Sequence, residues 1–574
     1  MNMIPQVKQY DKSGAVITSP AFTYTFVDCE DRVKTAYTAI PAAGTRVIPV
    51  TVTAGNDGTE GYTLVICEDG ITVKAGGQAG AFYAAKTLAQ LASDGEIPCG
   101  TVTDAPDFPI RGFYHDMTRG RVASLATLKK LVDLMADTKM NMLQLYVEHV
   151  FEFKEYDGIY QQYGYMTAEE TKELDAYCKE RFVRLVPSLS CFGHLFELLQ
   201  SEKYKDLCEL ENHKMEAFAW ADRMAHHTIN ASDDRSFAII KSLIDQYLPC
   251  FTDELFNICC DETFDLGKGR NADKDKGRLY VDFVCKIVRY LQEKGKKVMM
   301  WGDVILNHSD LFPEMPDGIL YGNWAYDANP SERCAEVFSS YGVAQIMCPG
   351  TSSWSRLVEH IEVGEQNITK MAAYAKKYNG VGILNTNWGD YGNACGLWGA
   401  LHGLLVGASK SWNEAEPIDE AFDLAAAHRF YGCDTAVKTV REFSRLHNLN
   451  RWFAYSGLYS NEVFRNSRCR MWESDSTEEL EKGFYELTAL YEKTAAEDWG
   501  NTDARDELVG SMKLAAVCIA TRYAYLGGEK ALLTRKEALA LYECFREEWL
   551  KQSDKSEIYV FDGIVSHLSG KYFN

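Results

Sequence analysis

Between Arg111 and Trp388 the chain alternates short apolar runs with stretches whose apolar positions recur every three to four residues. Runs of the first kind read as strands covered on both faces, and periodic stretches of the second kind as amphipathic helices packed over them. Eight runs carry the strand pattern: Arg111 to Thr118, Asn141 to Glu148, Arg184 to Ser190, Leu255 to Glu262, Lys297 to Asp303, Ile319 to Trp324, Ala344 to Pro349 and Val381 to Trp388. Between them, Leu125, Leu128, Leu131, Val132 and Met135 share a helical face behind Ser124, a fitting N-cap, and Tyr280, Val281, Val284, Ile287, Val288 and Leu291 share another. Eight such units over roughly 300 residues predict a (β/α)8 barrel, a TIM barrel of the α/β class. No glycine-rich phosphate loop follows the first run, which counts against a dinucleotide-binding sheet.

The pattern differs on either side of the barrel. From about Thr23 to Gly100 it is largely strand-like, as in Gly61-Tyr62-Thr63-Leu64-Val65-Ile66 and Gly70-Ile71-Thr72-Val73, with one helix around Gly80 to Leu91. This predicts a small α+β domain over residues 1–106, ended by the turn-rich Asp104-Ala105-Pro106-Asp107-Phe108-Pro109, where each proline disfavours regular pairing. The barrel is expected over 107–413. Past Asn413 the strand signal gives way to long helical segments, such as Thr477 to Ala496 and Glu507 to Gly527, so an α-helical domain is expected over 414–574. Acidic runs there, such as Glu478-Glu479-Leu480-Glu481, read as a solvated helix face.

Composition narrows the chemistry. A formal charge of -22 over 574 residues opposes binding to nucleic acid or to an anionic membrane. No run approaches about 18 consecutive apolar residues, and Met1 to Lys8 lacks the basic start and apolar stretch of a signal peptide, so a cytoplasmic protein is expected. The 17 cysteines are scattered without CxxC pairs, several inside apolar runs, which favours reduced thiols and argues against a zinc site. Neither metal nor cofactor is expected. Tryptophan is plentiful, and some of the 11 stand at strand ends beside carboxylates, a pairing suited to carbohydrate.

In a barrel, residues that end different strands converge on one mouth. Here they would be Arg111 and Asp116 from the first strand, Glu148 and His149 from the second, and Gly193-His194 after the third. The fourth brings Asp261 and Glu262, the fifth Trp301 and Asp303, and the sixth Trp324 and Tyr326. Trp354 follows the seventh, and the eighth brings Trp388 and Asp390. Acids that move a proton, aromatic faces that hold a ring and fork-like donors for hydroxyls are a glycosidase inventory.

The order and spacing of these motifs resemble the glycoside hydrolase family 20 β-N-acetylhexosaminidases over most of the first 400 residues. The resemblance begins in Gly61 to Leu91 and continues through Asp104 to Gly112, Asp116-Met117-Thr118-Arg119, Leu131 to Asn141, Gly193-His194, Asp261-Glu262 and Trp388-Gly389-Asp390. It implies a retaining exo-hydrolase that removes terminal GlcNAc or GalNAc from oligosaccharides or glycoconjugates by substrate-assisted catalysis, the exception to the two-carboxylate rule. Glu262 would be the general acid/base, and Asp261 would orient the 2-acetamido group whose carbonyl oxygen attacks. One acid must then be protonated while the other stays ionised. Arg111 would bind O3 and O4 of the sugar and Asp390 O4 and O6. Trp388, Trp301 and Trp324 would wall the pocket, and His194 and Glu148 would form a relay to Glu262.

Bland readings stand beside these. Arg111 could be a salt bridge at the barrel floor, His194 a structural histidine, and Trp301 and Trp324 core packing. The chain also departs from the family pattern. Glu148-His149 and Gly350 to Trp354 replace its commoner residues, and Cys259-Cys260 stands where glycines are common. The tyrosine for the acetamido carbonyl is left between Tyr326 and Tyr391. A related substrate-assisted hexosaminidase and a non-catalytic sugar-binding barrel are the alternatives.

Overall fold

The computed structural model describes residues 3–41, 44–161, 163–211, 227–448, 452–464, 476–553 and 556–573. Six strands open the chain, β1 (Gln9–Thr18), β2 (Pro20–Val27), β3 (Arg46–Ala54), β4 (Tyr62–Cys67), β5 (Gly70–Ala75) and β6 (Glu96–Asp104), with helices α1 (Asp31–Thr38) and α2 (Gln78–Ala92). They form one mixed sheet in the order β1-β6-β4-β5-β3-β2. Alternate residues such as Tyr62, Leu64 and Ile66 of β4 turn into a core shared with Phe82 and Leu88 of α2. This is the period-2 pattern of a sheet covered on one face.

The eight strand-like runs are eight strands: β7 (Ile110–Asp116), β8 (Met142–Val147), β9 (Arg184–Leu189), β10 (Leu255–Asn257), β11 (Lys297–Trp301), β12 (Ile319–Trp324), β13 (Ala344–Cys348) and β14 (Gly382–Asn387). All neighbours are parallel, and the barrel closes where Gly382 to Asn387 of β14 pair with Ile110 to His115 of β7. Large side chains, among them Tyr114, Met142, Met299, Trp301, Ile346 and Leu384, fill the interior, so it is a packed core with its loops free to build a site at one end. The predicted Ser124 cap is present, and the structure adds a second at Asp275. The Thr127 amide donates to Ser124 Oγ at 3.2 Å ahead of helix α3 (Leu125–Asp137), and the Arg278 amide to the Asp275 carboxylate at 2.7 Å ahead of the helix Lys276–Glu293.

Helices follow β14, among them Thr477–Ala496, Thr502–Tyr525, Arg535–Gln552 and Ile558–Tyr572. They grip the loop that leaves β7. The Ser124 amide donates to the Gln552 carbonyl at 2.8 Å, the Glu557 amide to the Gly120 carbonyl at 2.9 Å and the Ser553 hydroxyl to the Val122 carbonyl, while the Arg121 guanidinium lies 3.7 Å above the Trp549 ring. Glu507 also accepts the Gly399 amide at 2.7 Å. Among the described residues every cysteine is free, and no helix is long and apolar enough to cross a membrane.

Arg111 does not reach the mouth. It is the second residue of β7, at the opposite end of the barrel, and its side chain is wholly buried in the seam with the first sheet. Its guanidinium donates to both Glu60 oxygens at 2.7 and 2.9 Å, to the Phe108 and Lys139 carbonyls at 2.9 and 2.8 Å, and to Tyr83 Oη at 3.2 Å. The floor salt bridge is therefore the correct reading of this residue. Beside it, Asp104 accepts from Tyr62 Oη at 2.6 Å, Lys139 Nζ at 2.9 Å and Trp412 Nε1 at 3.0 Å, which ties the sheet to the barrel a second time. Removing one partner of a buried ion pair strands the other, at about 3–5 kcal/mol. Arg111→Ala is expected to lose stability of that order in denaturant unfolding, with the rate constants of the remaining folded protein little changed.

Candidate active site

Strand β10 stops at Asn257, five residues before Glu262, because the chain then turns. Cys259, Cys260 and Glu262 all take left-handed backbone, with φ of 56°, 62° and 45°. Such geometry costs a residue with a side chain roughly 1–2 kcal/mol and persists where the surroundings over-determine it. Here they do. The Cys259 amide donates to Asn257 Oδ1 at 3.0 Å, and the Cys259 carbonyl accepts the Trp301 amide at 3.0 Å. The Cys260 carbonyl accepts Tyr280 Oη at 2.8 Å, and the Glu262 amide donates to Asp303 Oδ2 at 3.0 Å. Glycine would suit positions 259 and 260; this chain buries two cysteines there. The turn presents Asp261, nearly buried, and Glu262, whose side chain is 32% exposed.

Gly193 lets the loop after β9 meet this turn. A Cβ at that position would lie 2.6 Å from the Asp261 carbonyl oxygen, so only glycine permits the approach. The next residue, His194, then sets Nε2 3.2 Å from Glu262 Oε2 and 3.5 Å from Asp261 Oδ2. Burial alone would lower its pKa, but the Asp261 charge and the close approach of both carboxylates outweigh burial and lift it to about 10. His194 is thus an imidazolium at neutral pH, shared by the pair. One atom from each of the three residues lies within 4.8 Å of the others, close enough for a cation.

The residue that joins Asp390 at the mouth is Arg119. Its Nη1 lies 3.0 Å from Asp390 Oδ1. Asp116 organises this corner: Oδ1 accepts the Thr118 and Arg119 amides at 2.9 and 3.2 Å, and Oδ2 accepts the Gly389 amide at 2.9 Å. The two loops then touch glycine to glycine, since a Cβ on Gly120 would fall 2.7 Å from Gly392 Cα. Burial raises the Asp390 carboxyl above the usual carboxylate range, with Arg119 opposing. Arg119 closes the Asp116-Met117-Thr118-Arg119 motif. The signal that would have separated it from Arg111 is distance along β7, since a residue at a strand's start and one three past its end lie at opposite ends of a barrel.

Aromatic rings line the space between the acids and this corner. Trp388 is 9% exposed, packs on Tyr114, Tyr146 and Trp301, lies 5.0 Å from the Arg119 guanidinium, and donates its indole N–H to Tyr326 Oη at 2.7 Å. Tyr326 is stacked on Trp324 with centroids 5.3 Å apart and tilted on Trp354 at 5.1 Å, and all three are partly exposed. Trp301 is 1% exposed and belongs to the barrel interior, so it supports the wall from beneath and does not form its face. Tyr391 is left-handed at φ 59°, and its carbonyl accepts the Trp452 indole N–H at 2.8 Å. Glu148 accepts from Tyr146 Oη at 2.8 Å, stands 3.9 Å from His149 and contributes to the field at Arg119. His194 meets both acids directly.

A parallel barrel with an acid pair, a shared imidazolium and indole walls at its strand ends is built on the plan of a glycoside hydrolase. Residues 108–414 match the model for glycosyl hydrolase family 20, catalytic domain, and residues 27–105 match the model for domain 2 of the same family. The chain belongs to glycosyl hydrolase family 20. It is 26% identical over 283 residues to a β-hexosaminidase of Porphyromonas gingivalis (43% of this chain, 36% of that one). It is 35% identical over 160 residues to one of Akkermansia muciniphila (24% and 32%). The matching stretch thus spans about a third of the length of these relatives. Among solved structures, a β-N-acetylhexosaminidase of Bacteroides fragilis superposes with TM-score 0.60 at 18% identity, covering 73% of this chain and 92% of that one. A chitobiase of Flavobacterium johnsoniae superposes with TM-score 0.59 at 15% identity, covering 99% of each.

The His194 geometry has a measurable signature. Its folded pKa lies above the unfolded value near 6.5, so the stability it contributes is fully present below about pH 6.5 and is lost as pH rises through about 10. Wild-type protein is expected to lose roughly 3–5 kcal/mol more than His194→Gln between these limits, read from denaturant midpoints across pH. Parallel curves for the two proteins would refute the shared imidazolium.

Proposed function

We propose that this protein is an exo-acting β-N-acetylhexosaminidase that hydrolyses terminal non-reducing β-linked GlcNAc or GalNAc with retention, the substrate's own acetamido oxygen acting as nucleophile. The observation that carries the reading is the turn that delivers Asp261 and Glu262 together onto one imidazolium. A conventional retaining enzyme brackets the glycosidic bond with two carboxylates, one donating the proton and the other attacking from the far face. Acids from a single turn, tied to the same His194 atom, suit another division of labour. Glu262, the more exposed, donates to the leaving oxygen and later activates water. Asp261 stays by the acetamido N–H and balances the positive charge of the oxazolinium ring. Preorganised partners of that kind are typically worth 10² to 10³ in rate.

The walls fit the same substrate. Burial holds the Tyr326 phenol well above its ordinary range, so it remains an O–H donor, and it is the tyrosine we assign to the acetamido carbonyl. Trp324, Trp354 and Trp388 offer faces for the methyl group and the ring, and Arg119 with Asp390 offers charged partners for the hydroxyls remote from the cleaved bond. Oligosaccharides and glycoconjugates ending in an N-acetylhexosamine are the substrates this recognises.

A panel of nitrophenyl β-glycosides tests the proposal. The GlcNAc and GalNAc members are expected to turn over, and the glucoside and galactoside to be almost inert, because an in-line intramolecular nucleophile is worth effective molarities on the order of 10⁵ M or above. Efficient cleavage of the 2-hydroxy glycosides, or a carboxylate adduct trapped with a 2-fluoro sugar, would contradict substrate assistance. Asp261→Asn is expected to lower kcat about 10² to 10³-fold on the GlcNAc substrate. Glu262→Gln is expected to lose about 10² to 10⁴-fold on a natural oligosaccharide, and to bind a thiazoline analogue of the intermediate nonetheless. Wild-type turnover by the Gln variant would exclude Glu262 as the acid.

A further inference from the structure

The loop after β14 carries Asp390 on strained backbone. Tyr391, Gly392 and Asn393, which follow it, are all left-handed, with φ of 59°, 95° and 51°. Two of these residues bear side chains, for which the conformation is costly, and it relaxes unless outside bonds fix it. Inside the barrel, Asp116 accepts the Gly389 amide on Oδ2 at 2.9 Å and the Asn393 side-chain amide on its carbonyl at 3.1 Å. Other bonds lead to the C-terminal helices. On one side the Asp390 carbonyl accepts the Ser355 amide at 3.1 Å, and the chain just past Ser355 is pinned to the helix Ala436–His447. There the Arg356 guanidinium donates to the Ser444 carbonyl at 3.1 Å and the Leu357 amide to His447 Nε2 at 3.0 Å. On the other side the Tyr391 carbonyl accepts the Trp452 indole N–H at 2.8 Å. We propose that Trp452 is a positioning residue for sugar recognition: its N–H holds the Tyr391 carbonyl and so aims the Asp390 carboxylate at the hydroxyls remote from the cleaved bond.

The setting of the indole supports this. Trp452 lies in the helix Trp452–Phe464, is wholly buried, and stacks on Phe561 of the helix Ile558–Tyr572 with centroids 4.4 Å apart and planes 7° from parallel. Packing fixes the ring, and a fixed ring gives its N–H a fixed direction. A buried indole N–H needs an acceptor. This one finds it on the backbone one residue past Asp390, 61 positions back in the chain. Asp390 has need of such aim. Its side chain is 21% exposed, open to a ligand at the mouth, while Oδ1 stands 3.0 Å from Arg119 Nη1. A loop displaced by about 1 Å would lose that pairing and misdirect the carboxylate. The helical domain thereby takes part in recognition as well as supporting the barrel. This role rests on Asp390 as a sugar ligand in the reaction proposed above.

Steady-state kinetics provide the test, on wild type, on Trp452→Phe and on protein in which benzothiophene replaces the Trp452 indole, an isostere without the N–H. Two nitrophenyl substrates are compared, β-GlcNAc and its 4,6-dideoxy analogue, which lacks the hydroxyls assigned to Asp390. In both altered proteins KM for β-GlcNAc is expected to rise about three- to tenfold, the loss of one neutral hydrogen bond, with kcat within about twofold of wild type. On the dideoxy sugar all three proteins are expected to agree in KM within about twofold, because the N–H and the hydroxyls serve the same contact. A KM penalty of equal size on both sugars would overturn the proposal, since it would mark a general loosening of the site. Should Trp452→Phe not fold, the isostere decides, because it keeps the ring and its packing. A wild type inert on both sugars would sink the hexosaminidase reading and this role together, and an active wild type with one KM for both sugars would remove Asp390 as a ligand and Trp452 with it. A wild type that favours β-GlcNAc, matched by altered proteins with unmoved KM, sinks Trp452 alone.

Discussion

One buried carboxylate, Asp116, joins the two ends of the barrel where the site is built. It takes amides from its own loop with one oxygen and from the Gly389 loop with the other, so strands that are first and last in the barrel share a single anchor. Barrel closure by backbone pairing brings β14 alongside β7, but pairing alone leaves the loops free. The Asp116 bonds, and the contact of Gly120 with Gly392, convert neighbouring strands into a rigid corner that carries Arg119 and Asp390. Loss of that anchor would leave the barrel closed and the corner unformed. The distinction between a scaffold and the site it carries lies in this one interaction.

Across the mouth the constraint is of another kind. The acid turn holds backbone strain at three residues, and the bonds that fix it come from different elements: β11, the helix after the turn, and Asp303. Strain of this sort survives only where the frame is stiffer than the turn. The packed interior of Tyr114, Met299 and Trp301 supplies that frame directly below. The indole walls rest on the same layer, since Trp388 packs on Trp301 and Tyr114. Acids and walls are thus fixed relative to each other by shared packing.

The barrel was legible because its strands are covered on both faces and its helices on one, which leaves a strong periodic imprint. Even so, the fourth strand proved to be three residues long, not eight, because Cys259 and Cys260 turn left-handed, although the Ile258 amide still donates to the Met299 carbonyl and the Cys259 carbonyl still accepts the Trp301 amide. The run recorded burial, which outlasts the regular strand by three residues. Strand β1 left no such imprint: it is an edge strand with most positions exposed, so its place in the sheet is set by pairing to β6 and not by alternation. The gathering of the acid pair, His194, Trp388 and Asp390 at one mouth was readable because each stands at or just past the end of a strand. Arg111 was misread for a geometric reason. Two arginines eight positions apart bracket a strand that spans the barrel, and only the one past its end can face the mouth. Glu60, the partner that claims Arg111, lies in another domain, and no local pattern announces such a meeting.

The grip of the helices on the loop after β7 has a bearing on how the molecule is made. Val122 bonds to Ser553, 431 positions further along the chain. At ordinary synthesis rates that interval corresponds to roughly 20 to 90 seconds between the two residues leaving the ribosome. All eight barrel strands precede Ser553 in the chain, so the loop that bears Arg119 gains this bond after they have been made. The corner at the mouth is thus held by residues from two widely separated parts of the chain, by the Asp116 bonds within the barrel and by the helices at its far end.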